Sequence, residues 1–467
     1  METIAIEPIT AIIPVQFPTR AEVQTLEKPA DRVLRLYFTA ADLSKNRRYE
    51  ESNAILTSIM DPAVPFPLEC FNALAHNYRR LNKPLDALRE YQNVLRYNDI
   101  IGPQREALNF FNMAAIFADL GQPADAIRCA SEAYRMTKSA NAMWSTCVGY
   151  FLAEEMELGW ECFKHRKLLK AYESDDKGEN ADIPLWNGEV GTPERPILIY
   201  GEQGAGERFL WASLLEEAAE RFGTIYVLTP ERYLSLYRRS FTKARIIAFS
   251  DRLDVRPAYR GLMADFGPYL RPTLDSFPRT PFMKVDETKR ARLRETFGPG
   301  PIVGLSWKSN NGDFGHMKSI KLADYAPILN IPAVRFVNLQ YGAVEAEIAE
   351  AEAALGVSIA RPAIDIENNL DSLAALTAAC DLVLTTANIT VHIAGAVGTP
   401  TWALIPEGYG RIWYWFLNRE DSPFYGSVRL FRGGWEHGFA PAIERMTLAF
   451  GEWLNGGNDG QRSELSG

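Results

Sequence analysis

Long hydrophobic runs are absent from this sequence: nowhere do about 18 apolar residues follow one another, so no membrane-spanning helix is expected. Cysteine is scarce, with Cys70, Cys129, Cys147, Cys162 and Cys380 only. Their number is odd and no two form a CxxC pair, which excludes a disulfide framework and the common zinc and redox motifs. Basic excess is lacking too. The formal net charge is -9, and a general nucleic-acid binder would carry a basic face. The first residues carry Glu2 and Glu7 where a secretory leader needs a basic start, with Pro8 and Pro14 breaking any apolar stretch. These absences together lead to the expectation of a cytoplasmic protein with reduced, buried thiols. What is present is ordinary globular composition, 47% hydrophobic and 23% charged over 467 residues, enough for two or three domains.

The front third repeats itself. Ala87 in Asp86-Ala-Leu-Arg-Glu-Tyr91 and Ala126 in Asp125-Ala-Ile-Arg-Cys-Ala130 share one pattern, a small residue followed four later by a packing residue. Phe71, Leu74, Ala75 and Tyr78 precede the first anchor at the same offsets as Phe110, Met113, Ala114 and Phe117 precede the second. Weaker copies are anchored by Ser52 and Gly159. The spacing is close to the 34-residue tetratricopeptide period, in which a small residue lets two antiparallel helices approach closely. Turn signals stand at Asn82-Lys-Pro84 and Gly121-Gln-Pro123. Helical repeats are therefore expected over 31–170. They would serve either as a partner-binding arm or as a structural cap.

Residues 171–195 are polar, then rich in Gly and Pro, and read as a linker. From Pro196 the pattern alternates strand and helix. Strands are expected at 197–200, 224–228 and 245–249, then after Gly298-Pro-Gly-Pro301 at 302–306, 334–338, 381–385 and 401–405. Helices are expected at 209–222, 231–241, 322–329, 345–354, 370–379 and 390–397. Such alternation implies parallel sheets with ligands at the carboxyl ends of the strands. Two α/β halves, 196–297 and 298–455, would enclose a cleft, and 456–467 reads as a disordered tail.

Three loops at strand ends carry the candidate chemistry. Gly201-Glu-Gln-Gly-Ala-Gly-Glu207 joins a strand to a helix. Its glycines are in the wrong order for a dinucleotide fingerprint, and no Lys-Ser/Thr follows as in a phosphate loop. Gly204 and Gly206 permit a tight turn. Glu207 falls in the first helical turn, where the dipole favours an acid as a cap. Trp307-Lys-Ser309 follows the first strand of the second half, with Lys318 a few residues later; two lysines at a strand end suit an anionic diphosphate. The strand ending at Thr386 leads into Asn388, Ile389 and Thr390, whose free N–H groups at a helix start make an anion site. His392 lies one turn inside that helix, where a purely structural role is equally open.

At these residues the chain resembles the bacterial tetratricopeptide-repeat glycosyltransferases, relatives of the heptosyltransferases and the O-linked N-acetylglucosamine transferases. The resemblance runs from about Leu36 to Trp435 and rests on the order of modest motifs. These are Glu154-Glu-Met-Glu-Leu-Gly-Trp160, Pro184-Leu-Trp-Asn-Gly-Glu189, Glu202-Gln-Gly-Ala-Gly-Glu207 and Gly304-Leu-Ser-Trp-Lys-Ser309, followed by Lys318-Ser-Ile320, Asn338-Leu-Gln-Tyr-Gly342, His392-Ile-Ala-Gly395 and Asp421-Ser-Pro-Phe-Tyr425. It implies a GT-B fold of two Rossmann-like halves behind the helical repeats. The donor, a nucleotide-sugar, would be held by the rear half, at Trp307, Lys308, Ser309, Lys318, Gln340, Tyr341, Asn388, Ile389, Thr390 and His392, with Gly204 and Gly206 in the facing turn. Glu207 stands where that family places its catalytic base, commonly an Asp. Ala387 stands where the family usually carries an Asp. Neither a metal nor another cofactor is implied, and the sequence has no Asp-x-Asp in a strand-end loop. The acceptor implied is a protein hydroxyl presented by the repeats. A degenerate scaffold that only binds a nucleotide or a partner, and a sugar-nucleotide epimerase, remain open as alternatives.

Overall fold

A computed structural model describes residues 29–60, 67–96, 102–169, 180, 182–202, 204–332 and 334–456. The chain separates into two compact units, Met1–Tyr172 with Glu407–Leu417, and Glu173–Pro406 with Asn418–Gly467.

The first unit is helical. Among the described residues four hairpins follow one another: α1 (Pro29–Lys45) with α2 (Tyr49–Ser58), α3 (Pro67–Arg80) with α4 (Pro84–Leu95), α5 (Pro103–Asp119) with α6 (Pro123–Thr137), and α7 (Ala140–Leu152) with α8 (Met156–Phe163). Proline opens α4, α5 and α6, where its missing N–H costs nothing. Each hairpin turns through one left-handed residue, Arg47, Asn82, Gly121 and Glu154, each five positions before the anchor of its repeat. The anchors sit where two helices meet: Ser52, Ala87, Ala126 and Gly159 are all buried. A Cβ on Gly159 would run into the Phe151 ring, so only glycine allows that crossing. Where Ser52 replaces alanine its hydroxyl is not wasted, for it donates to Ala40 O at 2.7 Å. All five cysteines are unpaired thiols, and burial pushes Cys70 and Cys380 up to about 12.

The second unit holds two parallel sheets. The smaller contains β1 (Ile197–Tyr200), β2 (Ile225–Thr229), β3 (Arg245–Ala248) and β4 (Tyr259–Leu262), in the order β3-β2-β1-β4. The larger contains β5 (Ile302–Leu305), β6 (Arg335–Asn338), β7 (Ile359–Ala360), β8 (Leu382–Thr386), β9 (Thr401–Ile405) and β10 (Val428–Arg432), in the order β10-β9-β8-β5-β6-β7. Its central strands β5, β8 and β9 are buried on both faces, hence their unbroken apolar runs rather than alternation. The helices that matter below are α9 (Ala205–Ala212), α10 (Leu215–Phe222), α11 (Glu231–Ser240), α12 (Glu287–Phe297), α13 (Glu345–Leu355), α14 (Leu370–Ala378), α15 (Ile389–Val397) and α16 (Ala440–Leu454).

Several expectations are corrected. The single helix expected at 209–222 is two, α9 and α10, interrupted where the Ser213 hydroxyl takes the Leu210 carbonyl at 2.6 Å. The segment expected at 322–329 is a 3-10 turn, Leu322–Tyr325, followed by one helical turn, Ala326–Leu329. Strands β4, β7 and β10 and helices α12 and α16 were not expected. The linker reading fails for the end of 171–195. Leu185 bridges β4 in parallel, Trp186 N donates to Arg260 O at 2.7 Å, and the Trp186 ring packs edge-on against Phe222, Phe266 and Tyr269. Residues 170–179 and 181 of that linker, the start of the chain, and the tail beyond Gly456 lie outside the described residues. Glu407–Leu417, placed by sequence in the rear half, belongs by its packing to the helical unit.

Because Trp186 is 0% exposed, Trp186→Ala should cost about 3–5 kcal/mol in a denaturant melt of the intact protein. A true linker position would show almost no change.

Candidate functional site

Each sheet has one point where the chain reverses its direction of strand addition, and ligands of such sheets bind there, beyond the carboxyl ends of the strands. In the smaller sheet that point lies between β1 and β4; in the larger, between β5 and β8. All three candidate loops grow from these two places.

Beyond β1, Gly204 caps α9 and Glu207 occupies the third position of the helix. Glu207 is half-buried, and its Oε2 folds back so that a Cβ on Gly204 would lie 2.9 Å from it. The neighbouring Glu202 is spent on structure, accepting the Ala264 N–H at 3.0 Å, which ties the loop to the end of β4. Gly206 faces His392 of α15: an added Cβ would stand 2.9 Å from Nε2. The two switch points therefore meet, α9 against α15. Beside them a second tie holds the halves: Asp371 of α14 accepts from Arg239 of α11 at 2.5 Å and from Lys289 of α12 at 3.0 Å. Burial raises the Asp371 carboxyl, but the two cations outweigh it and hold it below the usual range.

Beyond β5 the loop is knotted to its neighbours. Gln340 Oε1 accepts from Ser306 Oγ (3.0 Å), Trp307 N (2.8 Å) and Lys308 N (2.7 Å). Asn388 caps α15 by accepting Thr390 N at 2.8 Å, and its amide donates to Ser306 Oγ at 2.8 Å and Lys308 O at 3.0 Å. Thr390 Oγ1 lies 3.1 Å from the same Ser306 hydroxyl. Ser309 N donates to Ser319 Oγ at 3.0 Å, closing the loop on itself.

This geometry redistributes the sequence candidates. Trp307 and Gln340 are fully buried and hold the loop rather than face a ligand. Lys308 is paired with Glu347 of α13; burial raises that carboxyl, but hydrogen bonds led by Lys308 leave it below the usual range. Tyr341 is half-buried, with its hydroxyl 3.4 Å from Asn310 N. Lys318 is different. It is 4% exposed, and its ammonium lies over the Phe314 ring at 4.5 Å. Burial pulls it down to about 8, partly offset by the charge of Glu207. Among the described residues no carboxylate ion-pairs with it. Thr390 and the half-buried Ile389 stand at the start of α15, where N–H groups have no intrahelical acceptor.

His392 is held neutral. It is 3% exposed, and burial, reinforced by Lys318, takes it down to about 3. Its Nδ1 shares a hydrogen bond with the Tyr425 hydroxyl at 3.0 Å. Gly395, one turn on, leaves the space that the Tyr425 ring fills. The His-Ile-Ala-Gly motif and Tyr425 are thus one packing unit. Sequence reasoning gave no role to Ser306, Glu347 or Tyr425. Ser306 and Tyr425 stand inside quoted motifs, whereas Glu347 sits in an acidic helix indistinguishable from a solvated one. Among the described residues no three His, Cys, Asp or Glu side chains group as a metal ion would need, and no helix is long and apolar enough to cross a membrane.

No family model matches the chain. It is similar to protein FlbA of Caulobacter vibrioides, 36% identical over 329 residues, which are 62% of this chain and 52% of FlbA. The chain thus spans about half the length of that curated relative. Among solved structures it is similar to ADP-heptose LPS heptosyltransferase II of E. coli, with 16% identity, 56% of this chain and 98% of that chain covered, and a TM-score of 0.42. It is also similar to a mutant O-GlcNAc transferase of Thermobaculum terrenum, with 10% identity, coverage of 94% and 96%, and a TM-score of 0.32. A Podosopora anserina kinesin light chain with TPR-like repeats covers 42% of this chain, at 12% identity over 90% of its own length and a TM-score of 0.28. The first two of these structures are glycosyltransferases and the third is a helical-repeat protein.

Proposed function

We propose that the chain is a glycosyltransferase of GT-B type, moving a sugar from a nucleotide-sugar to a protein hydroxyl presented by the helical unit, without a metal ion. The observation that carries this reading is the meeting of two strand-end switch points, which brings Glu207, Lys318 and the start of α15 to one place. The acceptor oxygen would attack the anomeric carbon as the bond from that carbon to the phosphate oxygen breaks. Glu207 would take the hydroxyl proton. The charge left on the phosphate would fall to the Lys318 ammonium and the positive end of the α15 dipole at Ile389, both preorganised; the Thr390 N–H is already taken by the Asn388 cap. Ser306, Gln340 and Asn388 would keep those donors in place, and His392, neutral, would pack and not titrate.

One observation favours a binding scaffold instead: the Glu207 carboxylate folds over Gly204 as a helix cap would. The two readings separate on turnover. Glu207→Gln should lower release of nucleotide in the presence of acceptor by roughly 10²–10⁴-fold, with nucleotide affinity held within threefold. A fall in turnover of less than threefold would leave Glu207 a cap and the scaffold reading standing.

Lys318 sets the pH dependence. Its folded value, about 8, lies below the 10.5 of an exposed lysine, so the folded protein loses that proton first. Nucleotide affinity, measured by calorimetry in excess chelator, should therefore fall as pH rises through about 8. Stability should rise between 8 and 10.5, by an amount on the order of a few kcal/mol, because only the unfolded chain stays protonated at this residue there. Lys318→Gln should weaken nucleotide binding by about 1.5–3 kcal/mol and remove the pH step. Lys308→Ala, whose ammonium already has Glu347, should change affinity far less. Binding that depends strictly on an added divalent ion would overturn the metal-free reading.

A further inference from the structure

Glu407–Leu417 lies across the helical hairpins as a peptide ligand would. It lies in the connection between β9 and β10, and its alternate residues take one hairpin each. Tyr409 sits at the end of α3, its ring 5.0 Å from the Arg79 guanidinium and 5.1 Å from that of Arg80, with Arg80 also donating to its hydroxyl. Arg411 sits at the end of α5, donating to the carbonyls of Ala118 and Asp119, where a cation meets the negative end of the helix dipole. Trp413 sits at the end of α7, stacked on Phe151 with centroids 4.1 Å apart. The backbone is gripped independently of sequence. Asn82, the left-handed turn residue of the second hairpin, accepts Tyr409 N–H at 2.9 Å and donates to Glu407 O at 3.4 Å. The segment turns at Gly408–Gly410 and enters a 3-10 turn at Trp413–Trp415; its side chains at 409, 411 and 413 each meet one helix end while its main chain is held by the Asn82 amide, as in a groove that grips a turned peptide.

Two further features mark the occupant as removable. Gly408 and Gly410, at φ 83° and 104°, are pivots on either side of Tyr409, while Phe416 and Asn418 sit at φ 52° and 49° on the way out. A bulky residue held there is strained, and release relieves the strain. The segment also leaves part of the groove unfilled. A cavity of about 180 Å³ remains, walled by Arg79, Asp119, Trp144, Arg411 and Trp413.

We propose that Glu407–Leu417 is an internal ligand of the repeat groove, and that the partner this groove fits is a protein segment of the same turned form, presenting an aromatic, a guanidinium and a second aromatic at alternate positions. Such a segment displaces Glu407–Leu417 and meets the same three helix ends. The inference does not depend on sugar transfer, and a protein without that activity would have the same groove.

The probe is a fluorescent peptide with the sequence of 407–417, followed by anisotropy against the full chain. Wild type should bind it weakly, because the internal copy competes. Tyr409→Ala/Trp413→Ala should bind it at least tenfold more tightly, and adding Asn82→Ala should reverse that gain; a scrambled peptide should not bind. Equal affinity for wild type and the double variant, or binding indifferent to Asn82, would overturn the proposal. A second measurement needs no altered protein. Saturating isotopically heavy peptide should speed hydrogen exchange at the amides of 408–414 in wild type at least tenfold, and unchanged exchange would make the segment a fixed part of the fold.

Discussion

At the end of β5 the chain must leave the sheet with several hydrogen-bond donors that solvent cannot reach, and one amide oxygen collects them. Gln340 Oε1 receives the Ser306 hydroxyl and the N–H groups of Trp307 and Lys308, so the departure angle of the loop is set from β6. Asn388 completes the arrangement from β8, bonding Ser306 and the Lys308 carbonyl while capping α15. A buried network of this kind is stable only when every member is satisfied. The positions of Lys318, of the α15 terminus and, through His392, of the glycine turn before Glu207 all follow from it. The chemistry proposed above thus rests on three side chains that need touch no ligand.

Much of this architecture is legible in the sequence, for physical reasons that differ from part to part. The repeats are visible because close helix crossings tolerate only small residues, and Ala87, Ala126 and Gly159 advertise them. Strands β1, β5, β8 and β9 are visible because burial on both faces demands unbroken apolar runs. Strand β4 is not, since Tyr259-Arg-Gly-Leu262 neither alternates nor runs apolar, and β7 is only two residues long. The linker reading mistakes Gly and Pro for looseness. Around Trp186 they shape a turn that delivers a large ring into an aromatic cluster.

The strand-end loops that bear the candidate residues were legible in the sequence, but the packing roles within them were not. Lys308 and Lys318 look alike in sequence, yet Glu347, 39 residues on, takes the first, while no carboxylate among the described residues ion-pairs with the buried second. Gln340 and Trp307 stand in conspicuous motifs yet are buried in the loop's support, a role that conspicuousness alone cannot distinguish from ligand contact. His392 and Gly395 form a motif because Tyr425 needs a hydrogen-bond partner and a gap on one helix face.

The helical unit is discontinuous in sequence, and that has a consequence for its biogenesis. Its four hairpins are all synthesised before residue 172, but Tyr409, Arg411 and Trp413 emerge only after most of the second unit has been made. At ordinary elongation rates the nascent hairpins wait roughly 10–50 s for their last segment. Throughout that interval Phe151 and the ends of α3 and α5 lack the side chains that later cover them, and the groove is open to any suitable segment that arrives first.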